Sequence, residues 1–375
     1  MIYFDNAATS YPKPRAVING MVDAVVKFGG NPGRSSHYLS REASRLIYEC
    51  REEVASLFDG MAENVVFTYN ATYALNIAIN ALRPIGARAL ISSFEHNAVY
   101  RPIAAGGVFD VFDCGGDDES LLRSFKKGLT LRPGLVVCNH VSNLNGRVLP
   151  VKDIGKLCSL NGIPYIIDAS QSAGRIPISI RETLADAICA PSHKGLWGIQ
   201  GGGFAVFADK YSDGSVLKPF VYGGNGVNSL ESAMPDFLPE RFEGGTPSTP
   251  AIASLLYGIK EIKRVGLELI AYREGQLGKR LCEGLSVIKG VELYAPQLSP
   301  ESVLFNLKTL PSERVCAELD KRGFCLRGGY HCCPLGHKTL KTAQGGAVRA
   351  SFSLYNYSAE VDKLLMAVKD IASGK

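Results

Sequence analysis

The sequence predicts an α/β protein, with a large, mostly parallel sheet covered by helices on both faces and a smaller α+β domain after it. Three observations carry this reading. Short apolar runs alternate with helix-like stretches from Val65 to Ala208, glycine-rich irregular sequence breaks that pattern at 222–229 and 241–250, and a long amphipathic helical region then precedes two further strands.

The strands are read in order as VVFT (65–68), ALISS (89–93), FDVF (109–112), LVVCNHV (135–141), YIID (165–168), ADAICA (185–190) and FAVFA (204–208). Their near-continuous hydrophobicity is that of strands buried on both faces. Between them, Ala74, Leu75, Ala78, Ile79 and Leu82 mark one apolar face of a helix over Thr72–Leu82, and Val151–Asn161 reads similarly. YGGNGVNS (222–229) and RFEGGTPSTP (241–250) read as a functional loop. A helical region from about Pro250 to Lys289, broken near Gly266, leads to strands VELYA and VLFNL, a helix around Ser312–Arg322 and a last helix Ala359–Ile371. These elements divide into a large domain over 21–257 and a small one formed by 1–20 with 258–375. No repeat at a period of 20 to 50 residues appears.

Composition narrows the function classes. The 375 residues are 46% hydrophobic and 21% charged, which excludes disorder, and the 40 Gly and 19 Pro follow no collagen-like period. Lys+Arg 41 against Asp+Glu 36 gives a net charge of +5 without a basic run, so neither nucleic acid nor a membrane surface is an expected partner. MIYFDNAATS lacks the pattern of a secretory signal and no stretch approaches a membrane span, so the expected location is cytoplasmic. The 10 cysteines are scattered without a disulfide framework or a C-x2-C pair, and most read as reduced, buried side chains. The adjacent Cys332 and Cys333 stand apart. A metal site built from His331, Cys332, Cys333 and His337 is disfavoured, because adjacent cysteines point apart and a second ligand pair is missing.

The strongest chemical signal is APSHKGLWGIQGGG (190–203), where a buried strand ends in His193-Lys194 and a glycine-rich turn. A lysine there sits where α/β sheets bind ligands, and a desolvated amine with a lowered pKa can form a Schiff base. An exposed loop lysine is the alternative. Asp168 ends YIID, where a carboxylate needs a cationic partner such as a protonated pyridine nitrogen; alone, it reads equally as a cap for the next segment. NATYALN (70–76) follows VVFT, so that helix-start amides and the Thr72 hydroxyl would cradle a phosphate, with an ordinary N-cap as the alternative.

These motifs occur in an order that resembles the class V aminotransferase family of pyridoxal-phosphate enzymes (fold type I), specifically the cysteine desulfurases and selenocysteine lyases. The resemblance covers nearly the whole chain, through YFDNAAT (3–9), FTYNAT (67–72), EHN (95–97), VSNLNG (141–146), IIDASQS (166–172), SHKGLWG (192–198), RFEGGTPST (241–249), RGGYHCCPL (327–335) and RASFSLYN (349–356). It implies pyridoxal 5'-phosphate as cofactor, with Lys194 as the Schiff-base lysine, Asp168 on the pyridine nitrogen, His96 stacked on the ring, and Gln171 and Asn143 near the ring oxygen. Phosphate contacts fall to Ala71, Thr72 and His193, and to Thr246 from the partner subunit of a homodimer. Arg349 would hold the substrate carboxylate by two parallel hydrogen bonds. Arg327, Asn143 and His37 match the substrate side, although His37 also reads as a plain loop histidine.

Cys332 falls where desulfurases carry the sulfur-accepting nucleophile, in a short loop like that of the Suf-type group; a buried structural cysteine is the alternative. Arg327 or His331 beside it would favour the thiolate. The resemblance therefore implies conversion of L-cysteine to L-alanine with an enzyme persulfide passed to a sulfur-acceptor protein or a reductant. L-Selenocysteine is the alternative substrate, another lyase or transaminase of the family comes next, and a non-catalytic sulfur-transfer scaffold last. Three departures from the family pattern stand out: Pro191-Ser192 before His193, Tyr69-Asn70-Ala71 where a hydroxyl is usual, and a second thiol at Cys333.

Overall fold

The computed structural model describes residues 1–33, 35–294 and 302–374. The chain opens with β1 (Ile2–Tyr3), α1 (Arg15–Val26) and α2 (Tyr38–Phe58). Strands and helices then alternate as β2 (Val65–Thr68), α3 (Ala71–Leu82), β3 (Ala89–Ser92), α4 (Asn97–Ala105), β4 (Phe109–Phe112), α5 (Asp118–Leu129), β5 (Leu135–Asn139), α6 (Val151–Leu160), β6 (Tyr165–Asp168), α7 (Ile180–Thr183), β7 (Ala187–Pro191) and β8 (Gly203–Phe207). After the glycine-rich stretch come α8 (Thr249–Val265), α9 (Leu267–Ser286), β9 (Val291–Leu293), β10 (Ser302–Leu307), α10 (Ser312–Lys321), β11 (Phe324–Cys325), α11 (Pro334–Thr339), β12 (Val348–Ser351) and α12 (Ser358–Ala372).

The central sheet has seven strands in the order β2-β8-β7-β6-β5-β3-β4. All run parallel except β8, which pairs antiparallel with both β7 and β2. Because side chains alternate along a strand, Val136, Ile167 and Ile188 pack into one apolar cluster, while Val137, Ile166 and Ala187 pack into another on the opposite face. The expected strand over 135–141 stops at Asn139. The His140 amide still donates to the Asp168 carbonyl at 3.0 Å, but its carbonyl turns to accept from the Leu149 amide at 2.8 Å.

Two smaller sheets carry the rest. β12-β10-β9 is antiparallel, and β1 pairs parallel with β11, Ile2 opposite Phe324. Phe4 joins Leu281 of α9, Val303 of β10 and Leu364 of α12 in one buried cluster. The expected helix break falls at Gly266, whose φ of +92° is a left-handed conformation that glycine takes without a side-chain clash. Of the expected strand VELYA, Val291–Leu293 forms β9, and Ala295 lies outside the described residues.

Candidate active site

The carboxyl ends of β2, β3, β5, β6 and β7 converge on a cavity of about 160 Å³. Ligands of open α/β sheets bind at this edge. β7 ends at Pro191, and Lys194 follows within a tight turn. The Ser192 hydroxyl bonds to the Ile199 and Gly202 carbonyls at 2.6 and 2.9 Å, which braces the glycine-rich loop. Ser192, part of the first departure from the family pattern, is thereby engaged away from the cavity. β8 must pass close to the start of α3: a side chain at Gly203 would meet the Asn70 backbone at 2.5 Å.

Lys194 faces the cavity, which leaves it partly exposed to that space rather than to bulk water. The surrounding protein desolvates its amine and pushes the pKa down to about 8, against a smaller upward pull from Asp168. His96 caps α4, its Nδ1 accepting from the Ala98 amide at 3.0 Å, so Nε2 carries the ring proton. Burial, then the Lys194 charge, lowers its pKa to about 4, so the imidazole is neutral. His193 is also held near 4, chiefly by burial. Asp168 is 4% exposed, and its Oδ1 accepts from the Ser170 amide at 2.9 Å. It therefore caps a turn, and no helix follows.

At the opposite wall the Asn70 side chain caps α3, Oδ1 accepting from the Tyr73 amide at 3.0 Å. Ala71 and Thr72, the first two helical residues, line the cavity and receive no such cap. Asn143 and Gln171 line it too. Each donates its amide to a backbone carbonyl, Asn143 to His331 at 2.7 Å and Gln171 to Ala7 at 3.0 Å.

Cys332 sits beside this cavity, half-buried, in a loop where both His331 (φ +47°) and Cys332 (φ +55°) are left-handed. The Cys332 carbonyl accepts from the Asn97 amide at 2.8 Å, which ties the loop to the start of α4 next to His96. Arg327 Nη2 lies 3.9 Å from Cys332 Sγ. Arg327 and Arg349 face each other in a backbone bridge, Arg349 N–H donating to the Arg327 carbonyl at 2.8 Å. Arg349 is buried and donates from Nη1 to the Asn143 carbonyl at 2.7 Å.

Arg327, Cys332 and Arg349 neighbour the cavity through these contacts without lining it, and two further sequence-derived candidates lie elsewhere in this chain. His37 is exposed at the start of α2, where Nδ1 accepts from the Ser40 amide at 3.3 Å, and it lines neither cavity. It serves as an N-cap because its ring nitrogen lies over the first turn. Thr246 lines a separate, larger cavity of about 490 Å³, away from Lys194. That larger space overlies an ion pair, Arg51 with Glu243, whose charges are already matched. Lys194, Asp168 and His96 lie at the smaller one.

Sequence reasoning missed four residues. Glu95 and Asn139 lie just past and at strand ends, so the logic that found Asp168 reaches them as well. Glu95 is buried, accepts from Ser92 Oγ and the Asn139 amide, and is pushed up to about 8 by desolvation. Asp5 pairs with Arg349 Nη2 at 2.8 Å. Lys13 donates to the His193 carbonyl at 2.9 Å, with burial lowering its pKa to about 8. No local pattern marks the last two, because their partners lie far along the chain.

The aminotransferase class-V family model matches residues 2–364. The chain is 30% identical to the probable cysteine desulfurases of Pyrococcus abyssi and Methanothermobacter thermautotrophicus, in each case over 99% of this chain and 94% of the relative. Among solved structures it is similar to an apo cysteine desulfurase from Thermococcus onnurineus, with a TM-score of 0.89 and 31% identity over 100% of this chain and 95% of that one. The cysteine desulfurase CsdA of Escherichia coli shares the fold, with a TM-score of 0.85 at 22% identity over 99% of this chain and 94% of that one. With its parallel sheet, its strand-end lysine and a match along nearly its full length, the chain belongs to the aminotransferase class-V family.

Proposed function

We propose that the protein is a pyridoxal-phosphate-dependent cysteine desulfurase. It takes the sulfur of L-cysteine onto Cys332 as a persulfide and releases L-alanine. The observation that carries this is the joint placement of a desolvated Lys194, a buried Asp168 and a neutral His96 around one cavity, with the loop of the half-buried Cys332 tied beside it.

The residues fit the cofactor. His193 Nδ1 and Asn139 Nδ2 are buried without a partner, and both residues line the cavity, where a polar ligand would satisfy them. Lys194 would hold the cofactor covalently, Asp168 its pyridine nitrogen, His96 its ring face, Asn143 and Gln171 its ring oxygen, and Ala71, Thr72 and His193 its phosphate. When bound, the cofactor supplies an electron sink for the substrate Cα.

The protein's own groups do the remaining work. Arg349 holds the α-carboxylate, with Arg327 adding positive charge nearby. The Lys194 amine, with its pKa near 8, takes and returns the Cα proton close to neutral pH. Cys332 forms the new S–S bond as the substrate C–S bond breaks, so the thiol and L-cysteine together become a persulfide and alanine with no external oxidant. We assign Thr246 to the partner's phosphate site in a homodimer, with His37 on the substrate side by family match alone. The division into 21–257 and 1–20 with 258–375, a cytoplasmic location and a sulfur-acceptor protein belong to the same reading. Among the described residues, no helix is long and apolar enough to cross a membrane.

The test is product analysis with L-cysteine and L-selenocysteine in turn, together with borohydride reduction and peptide mapping. Alanine from L-cysteine and a cofactor adduct on Lys194 are expected. An adduct on another lysine, or no alanine from either substrate, would refute the assignment.

A further inference from the structure

Arg349 is buried to 1% exposure, and burial, with Arg327 and Arg175 nearby, works against its positive charge. Among the described residues, Asp5 is the one carboxylate in contact with it, Oδ1 to Nη2 at 2.8 Å. The Asn143 carbonyl takes Nη1 at 2.7 Å, while Nε is buried with no partner. A guanidinium is a rigid planar fork, so contacts on two of its nitrogens fix the plane and leave the third as the open donor. An open buried N–H beside the cysteine loop is where an incoming carboxylate gains most.

Asp5 is itself firmly placed. It forms a backbone bridge with Ser351 on β12, the strand that carries Arg349. The Ala7 amide donates to Ser351 Oγ at 2.8 Å, and the Ser351 amide donates to the Phe4 carbonyl at 2.7 Å. The Asp5 side chain keeps 21% exposure, so its charge remains hydrated while it pairs.

We propose that Asp5 is the positioning residue for Arg349: it fixes the guanidinium plane and balances its charge, so that Nε and the remaining Nη hydrogens are presented to the substrate α-carboxylate. This rests on the reading that Arg349 receives that carboxylate. Asp5 acts through Arg349 and does not touch the reacting atoms, so its loss weakens substrate binding more than turnover.

The experiment compares wild type, Asp5→Asn and Asp5→Ala as cofactor-loaded enzyme. Steady-state kinetics with L-cysteine is paired with calorimetric binding of L-alanine and of L-alanine methyl ester, which lacks the carboxylate. Asp5→Ala is expected to raise KM and the alanine Kd about tenfold while kcat changes less than about twofold. Ester binding should not change, and Asp5→Asn, which keeps the acceptor oxygen, should recover most of the loss. A lower or unchanged KM, a fall confined to kcat, or equal weakening of acid and ester would overturn the proposal. If Asp5→Ala does not fold, Asp5→Asn against wild type still decides: a small rise in the alanine Kd with ester binding unchanged supports the proposal, and no rise, a fall, or equal weakening of acid and ester overturns it. A wild type that binds alanine but makes none from L-cysteine would refute the desulfurase reading and leave Asp5 to be judged by the binding data. A wild type that does not distinguish acid from ester would sink both.

Discussion

Cys332 and Cys333 are neighbours in the chain with opposite surroundings. Cys333 is fully buried, and its thiol donates to the Phe94 carbonyl at 3.3 Å, while Cys332 is half-exposed with Arg327 Nη2 3.9 Å from its sulfur. Burial drives the Cys333 thiol pKa far up, which keeps it protonated and unreactive. At position 333 the structure thus holds a packed, hydrogen-bonded thiol.

Cys332→Ser should lose alanine production from L-cysteine by orders of magnitude while the protein stays yellow. It should still act on L-selenocysteine, because a selenol is the better leaving group. Cys333→Ser should keep most of its activity. Product assays on both variants check this, and the reverse ranking would move the nucleophile by one residue.

Glu95 supplies a pH signature. Its folded pKa of about 8 lies above the ordinary 4.5, so the folded state binds more protons between those values and stability falls as pH rises through that window. Glu95→Gln is nearly isosteric and cannot ionise. Thermal melts at pH 5 and pH 8 should show a smaller loss on raising the pH in the variant than in wild type. An identical pH dependence would mean that Glu95 titrates as an ordinary carboxylate.

The central sheet was legible in the sequence because its inner strands β3, β5, β6, β7 and β8 are buried on both faces and read as apolar runs bounded by turns, while the edge strand β4 is partly exposed and carries Asp110. Lys194 and Asp168 were legible for the same reason, since a polar residue at the end of such a run has few structural uses. β1 and β11 were not read. Each is two residues long, and they pair across almost the entire chain, so no local periodicity can announce them. Asp5 and Lys13 lie in that same N-terminal stretch. Asn143 and Arg349 were assigned by family likeness; the hydrogen bond from Arg349 to the Asn143 carbonyl is a tertiary contact that no spacing encodes.

Lys194 should react like an unusually acidic amine in cofactor-free protein. With a pKa near 8 rather than 10.5, half of it is neutral at about pH 8. Competitive labelling with an amine reagent across pH 6 to 11, read by peptide mapping, should give an inflection near 8 at Lys194. A second is expected at Lys13. An inflection above 10 at Lys194 would contradict the desolvated site.

Thr246→Ala tests the shared site. Because Thr246 does not line the Lys194 cavity of its own chain, its effect should appear only in the dimer, as a cofactor affinity weaker by about 1.5 to 3 kcal/mol, the value of one hydrogen bond to a charged group. A monomer that holds cofactor and turns over normally would refute this.

The pairing of Ile2 with Phe324 and of Asp5 with Arg349 also fixes when the site can exist. β1 and Asp5 are translated long before β11 and β12, so contacts of long sequence separation must close before Arg349 is held in place. A ribosome-bound chain long enough to contain Lys194 and Asp168 still lacks Arg349 and its pairing with Asp5. The surroundings of Arg349 are thus completed only after β12 has been made and has met the segment around Asp5.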